Sequence, residues 1–153
     1  MTPALHIALM SPEIGPNTGN IGRLCLGIGA RLHLIHPLGF QTDDKAVRRA
    51  GLDYWKNVDV VEHENGAAFW KWATARRVHL FSTKVDQSYA QIVWKQGDVA
   101  LFGPESRGLS EELIAERGAF TIPMTGPIRS LNLANAVAVI TYSALQKLQP
   151  ELF

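Results

Sequence analysis

Short apolar runs alternate along this chain with stretches of helical period, and no other feature constrains its fold as strongly. The runs are Leu5–Met10, Arg31–His36, Val58–Val61, Val78–Ser82, Val99–Phe102 and Phe120–Pro123. The helical stretches are Thr18–Ile28, Lys45–Leu52, Ala67–Ala75, Glu111–Glu116 and Leu131–Leu148. Strands that alternate with helices predict an α/β fold with a mostly parallel sheet flanked by helices. The 153 residues, 46% of them hydrophobic, fit a single domain over residues 1–153. The last helical stretch is apolar or small at nearly every angle around its axis. It reads either as a central core helix or as a subunit interface.

Fifteen basic and fourteen acidic side chains leave a formal charge of only +1. A nucleic-acid partner would therefore be held by a local patch, because a chain that neutralises many phosphates is usually more basic. The single cysteine, Cys25, allows no intramolecular disulfide and reads as a buried small residue. The N-terminal MTPALHIALMSPE lacks a basic segment and a long apolar core, so neither a signal peptide nor a membrane span is expected. A cytoplasmic location follows as an expectation. His6, His33, His36, His63 and His79 show no metal-ligand spacing, so no metal is expected and they read as packing residues.

Two glycine patterns suggest nucleotide loops and fail. In "LGIGARL", Gly27 and Gly29 are followed by Leu32 where a dinucleotide fingerprint needs its third glycine, and the run precedes a strand instead of following one. In "GPESRGLS", Leu109 stands where a phosphate-binding loop needs lysine. There is also no Gly-x-Ser-x-Gly nucleophile elbow.

The stretch "EIGPNTGNIGRLCLGIGA" asks for a different reading. On a helix, Ile21, Leu24, Cys25 and Ile28 form one apolar stripe, while Asn20, Arg23 and Gly27 share the opposite face. Asn17 or Thr18 is expected to cap the helix start. Gly22 and Gly27 each weaken a helix interior by about 1 kcal/mol relative to alanine. Close approach of another backbone or a ligand would explain them. Two further segments resemble this one in their small polar residues: "VALFGPESRGLSEE", where Ser110 can open a helix, and "FTIPMTGPIRSLNLANA", entered through Ser130 or Asn132. Loops of this kind beside apolar strands suit a planar, adenine-like ligand.

Taken together, "NTGNIGRLC", "LFGPESRGL" and "IPMTGPIRSLNLANAVAV" resemble the three motifs of the SPOUT superfamily, the α/β-knot RNA methyltransferases, in order and in spacing. The resemblance spans essentially the whole chain. With "DDKAVRRAGLDYW", it is similar to the TrmL-type branch, ribose 2′-O-methyltransferases of the tRNA wobble nucleotide. The resemblance implies a deep C-terminal trefoil knot, a homodimer with its pocket near the interface, and S-adenosylmethionine as cofactor. By motif, Phe81, Gly103, Ile122, Ser130 and Leu131 would hold the cofactor. Arg23 would be the main catalytic residue, with Glu105, Ser130 and Asn132 shaping the active site. Phe81 departs from the smaller aliphatic residue often found at its position.

The expected partner is tRNA, through its anticodon stem-loop, whose unpaired bases can be read singly. Asn17, Asn20 and Arg23 face it from the first motif, and Lys45, Arg48 and Arg49 form a basic i, i+3, i+4 face. Tyr54 or Trp55 either stacks on a base or belongs to the core. A guanidinium is a poor base because it stays charged. Arg23 is therefore expected to hold a phosphate and stabilise a developing alkoxide, with phosphate or water accepting the proton. Two alternatives remain open at this point: another tRNA or ribosomal RNA position, or a binding module without catalysis.

Overall fold

The computed structural model describes residues 2–42 and 52–153. Its elements are β1 (Leu5–Met10), α1 (Gly15–Ile28), β2 (Arg31–Ile35), β3 (Val60–His63), α2 (Gly66–Trp72), β4 (Val78–Phe81), β5 (Asp98–Phe102), α3 (Glu111–Arg117) and α4 (Leu133–Leu148). The five strands are parallel and ordered β3-β2-β1-β5-β4. The expected α/β sheet is therefore present. The chain builds outward from β1 to β3 and then returns to the other side of β1, so β1 and β5 meet where the strand order reverses.

Successive side chains of a strand point to opposite faces, and here both faces are apolar. Leu5, Ile7 and Leu9 of β1, with Ala100 and Phe102 of β5, pack against Ile21 and Cys25 of α1 and Val137, Ile140 and Ala144 of α4. Ala8, Val99 and Leu101 pack on the other side against Phe69 of α2 and Leu109. The predicted stripe on α1 is the buried one, with Leu24 and Ile28 packed at its edge. Burial pushes the Cys25 thiol up to about 12, which makes it an inert packing group.

Three expectations need correction. The run Phe120–Pro123 is no ladder strand: Phe120 and Thr121 make isolated bridges to Phe81 and Ser88. Pro123 has no N–H to extend a ladder, and the two bridging residues follow different neighbours. Asn17 and Thr18 do not cap α1, which begins after Ile14 without a side-chain cap of its own. The space above Gly22 is already filled, because a Cβ there would meet the Trp55 ring at 2.7 Å. Gly27, by contrast, faces open space. The predicted helix Lys45–Leu52, with Lys45, Arg48 and Arg49, lies outside the described residues except for Leu52, which begins a 3₁₀ turn at Leu52–Asn57.

One cluster that the sequence shows only as scattered histidines is a buried ladder. His6 Nδ1 lies 2.9 Å from His33 Nε2, and His33 Nδ1 lies 2.9 Å from His63 Nε2. Trp72 packs against all three rings. Arg76 stacks over Trp72 and reaches His6 Nε2 at 3.3 Å. A guanidinium can only donate, so His6 Nε2 accepts. The His6 Nδ1–H must then donate to His33, whose Nδ1–H donates to His63. Burial, followed by the positive charge of Arg76 and Arg31, pushes His6 down to about 4, with Asp59 opposing. Burial and the two neighbouring histidines push His33 down to about 2, and burial lowers His63.

An unfolded histidine titrates near 6.5. Between that pH and the depressed folded values the unfolded chain binds protons that the native chain refuses. Stability is thus fully present above pH ~6.5 and is lost as pH falls toward 4, by on the order of a few kcal/mol. Urea midpoints measured from pH 7.5 to 5 should stay level down to about pH 6.5 and then fall. A flat midpoint across that range would contradict the neutral ladder.

Candidate active site

The carboxyl ends of β1, β4 and β5 open onto a cavity of about 570 Å³. Ile14 and Asn17 line it from the start of α1, residues 81–84 from the end of β4, and residues 102–108 from the end of β5. The opposite wall comes from the segment before α4, including Phe120, Ile122, Arg129, Ser130, Leu131 and Asn132. This is the switch point at which open parallel sheets bind ligands. Gly103 lets the loop after β5 fold back on itself: a Cβ there would sit 2.3 Å from the backbone of Gly108 and Leu109. No other residue type fits that approach.

Two carboxylates are exchanged between neighbouring loops. Glu105, after β5, accepts hydrogen bonds from the backbone N–H groups of Glu13 and Ile14 at 2.8 and 2.9 Å, and from Asn17 Nδ2 at 3.2 Å. Glu13, after β1, accepts from the N–H and the hydroxyl of Ser106 at 2.8 and 2.7 Å. Those two bonds, helped by Arg107, hold the Glu13 carboxyl below the usual range. Asn132 Nδ2 donates to Asn17 Oδ1 at 3.0 Å, and Asn132 Oδ1 accepts from the N–H groups of Ala134 and Asn135, which caps α4. Asn132, and not Ser130, is the residue that opens this helix.

The structure therefore gathers most of the residues singled out from the sequence. Phe81, Gly103, Glu105, Ile122, Ser130, Leu131, Asn132 and Asn17 all line the cavity. The Phe81 ring stacks on Phe102, with centroids 4.9 Å apart, so the larger side chain is absorbed by an aromatic partner. Asn17 is buried between Glu105 and Asn132, while Asn20 is exposed on α1. Arg23 is exposed and does not line the cavity. It lies about 9 Å beyond Asn17 along the helix axis, at 1.5 Å per residue, with its guanidinium 4.9 Å over the Tyr54 ring. An exposed contact of this kind is worth about 0.5–1 kcal/mol.

Glu13, Ser106, Arg107 and Arg129 are site residues that pattern reading passed over. The signal for Glu13 was weak, since its partner stands 93 positions away. Ser106, Arg107 and Arg129 were inside quoted motifs and carried no spacing rule. Among the described residues, no group of three or more His, Cys, Asp or Glu side chains can hold a metal ion. No helix among them is long and apolar enough to cross a membrane.

The cavity suits the adenosine part of a sulfonium cofactor. Phe81, Phe102, Ile122, Leu131, Leu133 and Ala136 supply an apolar lining, and Ser82, Thr121 and Ser130 supply polar groups at its edge. A polyphosphate would find no glycine-and-lysine loop here.

Comparison with known proteins agrees with this geometry. Residues 4–142 match the SpoU rRNA Methylase family. The chain is 48% identical over 147 residues to a tRNA (cytidine(34)-2'-O)-methyltransferase of Aeromonas hydrophila, covering 94% of each chain. A solved structure described as giving insights into the 2-OH methylation of C/U34 on tRNA superposes with a TM-score of 0.93 at 46% identity, covering 97% of this chain and 98% of that one. An AdoMet-bound rRNA methyltransferase from Sinorhizobium meliloti superposes with a TM-score of 0.85 at 26% identity, covering 95% of this chain and 58% of that one. On these matches and on the shared fold, the chain belongs to the SpoU methylase family.

Proposed function

We propose that this chain is an S-adenosylmethionine-dependent methyltransferase that modifies the ribose 2′-hydroxyl of the tRNA wobble nucleotide, cytidine or uridine. One observation carries the reading. The loops that line the cavity are hydrogen-bonded through Asn17, Glu105 and Asn132 to the helix that presents Arg23. The near full-length likeness to a relative bearing that activity supports the choice of substrate.

Phe81, Gly103, Ile122, Ser130 and Leu131 hold the cofactor, which supplies an electrophilic methyl group when bound. Arg23 binds a backbone phosphate through in-plane N–H groups and stabilises negative charge as the ribose oxygen gives up its proton to phosphate or water. Holding the acceptor in near-attack geometry is worth up to roughly 7–11 kcal/mol in favourable systems. Glu105 is a positioning residue, because its carboxylate is occupied by Glu13, Ile14 and Asn17. Ser130 and Asn132 shape the wall facing the substrate. Asn20 and the Lys45, Arg48, Arg49 face dock the anticodon stem-loop in the cytoplasm.

The chain acts as a single-domain homodimer with a deep C-terminal trefoil knot. Support for the knot is that Phe120 and Thr121 bridge to Phe81 and Ser88 while α4 returns to pack against α1. Support for the dimer comes from α4. Its Val137, Ile140 and Ala144 are fully buried, yet Val139 and Tyr142 remain 38% and 47% exposed, and Ile14 and Leu26 are exposed as well.

Arg23→Ala should lower the methylation rate by about 10²–10³-fold, the usual cost of losing one donor to developing charge, with cofactor affinity unchanged by titration. Near-normal turnover with intact cofactor binding would sink the assignment. Sedimentation equilibrium should show a dimer, and Val139→Asp should shift it toward monomer. A monomeric parent chain would refute the interface.

A further inference from the structure

We propose that Tyr54 is a positioning residue for Arg23, which it holds from one face so that the guanidinium edge stays free for RNA. The inference rests on the catalytic reading of Arg23 and adds the device that aims it.

Two contacts dock the 3₁₀ turn Leu52–Asn57 onto α1. Trp55 lies against Gly22, its Cζ3 only 2.7 Å from where a Cβ would stand, and Val58, just after the turn, comes within 3.5 Å of the same point. Gly22 immediately precedes Arg23, so the turn is lodged beside the arginine it must address. Tyr54 then presents its ring to the guanidinium at 4.9 Å. The glycine that weakens the helix thus serves as a socket for the neighbouring aromatic residue.

The chemistry of the pair explains why an aromatic side chain stands there. A guanidinium that lies flat on a ring donates hydrogen bonds only in its own plane, clear of the ring. Stacking therefore restricts the rotamers of a long exposed side chain while leaving all five N–H donors available. A carboxylate in the place of Tyr54 would occupy two of those donors and offset the charge that a phosphate or alkoxide needs. Arg76 and Arg117 stack in the same way on Trp72 and Trp70, at 4.3 and 3.6 Å, but both sit on the other sheet face or at α3, away from α1.

The test compares Tyr54→Phe, Tyr54→Leu and Tyr54→Ala with Arg23→Ala and the Arg23→Ala/Tyr54→Ala double variant, by steady-state methylation of tRNA. Tyr54→Phe should stay within about twofold of the parent chain, since it keeps the ring face. Tyr54→Leu keeps apolar packing without the ring and remains assayable if alanine unfolds the turn. It should lower kcat by about 10-fold or more, the scale of a small misplacement, with KM for S-adenosylmethionine and Tm unchanged. The double variant should be no slower than Arg23→Ala alone. A slow Arg23→Ala beside a Tyr54→Leu of normal kcat would overturn the positioning role alone. A Tyr54→Leu defect confined to KM for tRNA would overturn it too, and would make Tyr54 a base-stacking platform. Normal turnover of Arg23→Ala would instead remove the catalytic reading on which the inference stands.

Discussion

The exchange of carboxylates between Glu13 and Glu105 is the constraint on which the site depends. Helix α1 opens on Gly15 and Pro16 without a side-chain cap of its own. The two residues just before it, Glu13 and Ile14, donate their backbone N–H groups to Glu105, which reaches across from the loop after β5. Glu13 returns the bond to Ser106 of that same loop. Bonds to a charged acceptor are shorter and stronger than neutral ones. The loop that walls the cofactor cavity and the helix that carries Arg23 are therefore one mechanical unit. Asn17 and Asn132 extend that unit to the start of α4.

Around this clasp the cavity mixes apolar side chains such as Phe81, Ile122 and Leu131 with polar and charged ones, Lys84, Arg107 and Arg129 among them. Arg23, the cation proposed to handle the RNA, stands outside it on an exposed helix face, over the Tyr54 ring. Behind the sheet, a neutral histidine ladder clamped by Trp72 and Arg76 ties β1, β2 and β3 together away from the chemistry. A charge in that ladder would be buried. Its neutrality keeps the scaffold firm at neutral pH.

The parts that the sequence made legible were those written in local period. Five of the six apolar runs marked strands, and the i, i+3, i+4, i+7 spacing of Ile21, Leu24, Cys25 and Ile28 identified the buried side of α1. The three motifs located the cavity walls: the first lies at the start of α1, the second follows β5 and the third leads into α4. What stayed hidden depends on long-range registry. Glu105 meets Ile14 from 91 positions away, and no spacing rule carries that pairing. The local cap expected from Asn17 or Thr18 is absent, and the Asn17 side chain bonds Glu105 and Asn132 instead. Gly22 was read as clearance for a ligand or backbone, and the visitor proved to be Trp55. The histidines align only once three strands have taken their register.

The identity of the methylated nucleotide tests the account most directly. Purified protein would be incubated with labelled S-adenosylmethionine and total tRNA, and the label mapped after alkaline hydrolysis and nuclease digestion. Label in an alkali-resistant dinucleotide that contains the wobble nucleotide is the predicted result. Label on a base, at another tRNA position, or only in ribosomal RNA offered in parallel would contradict it.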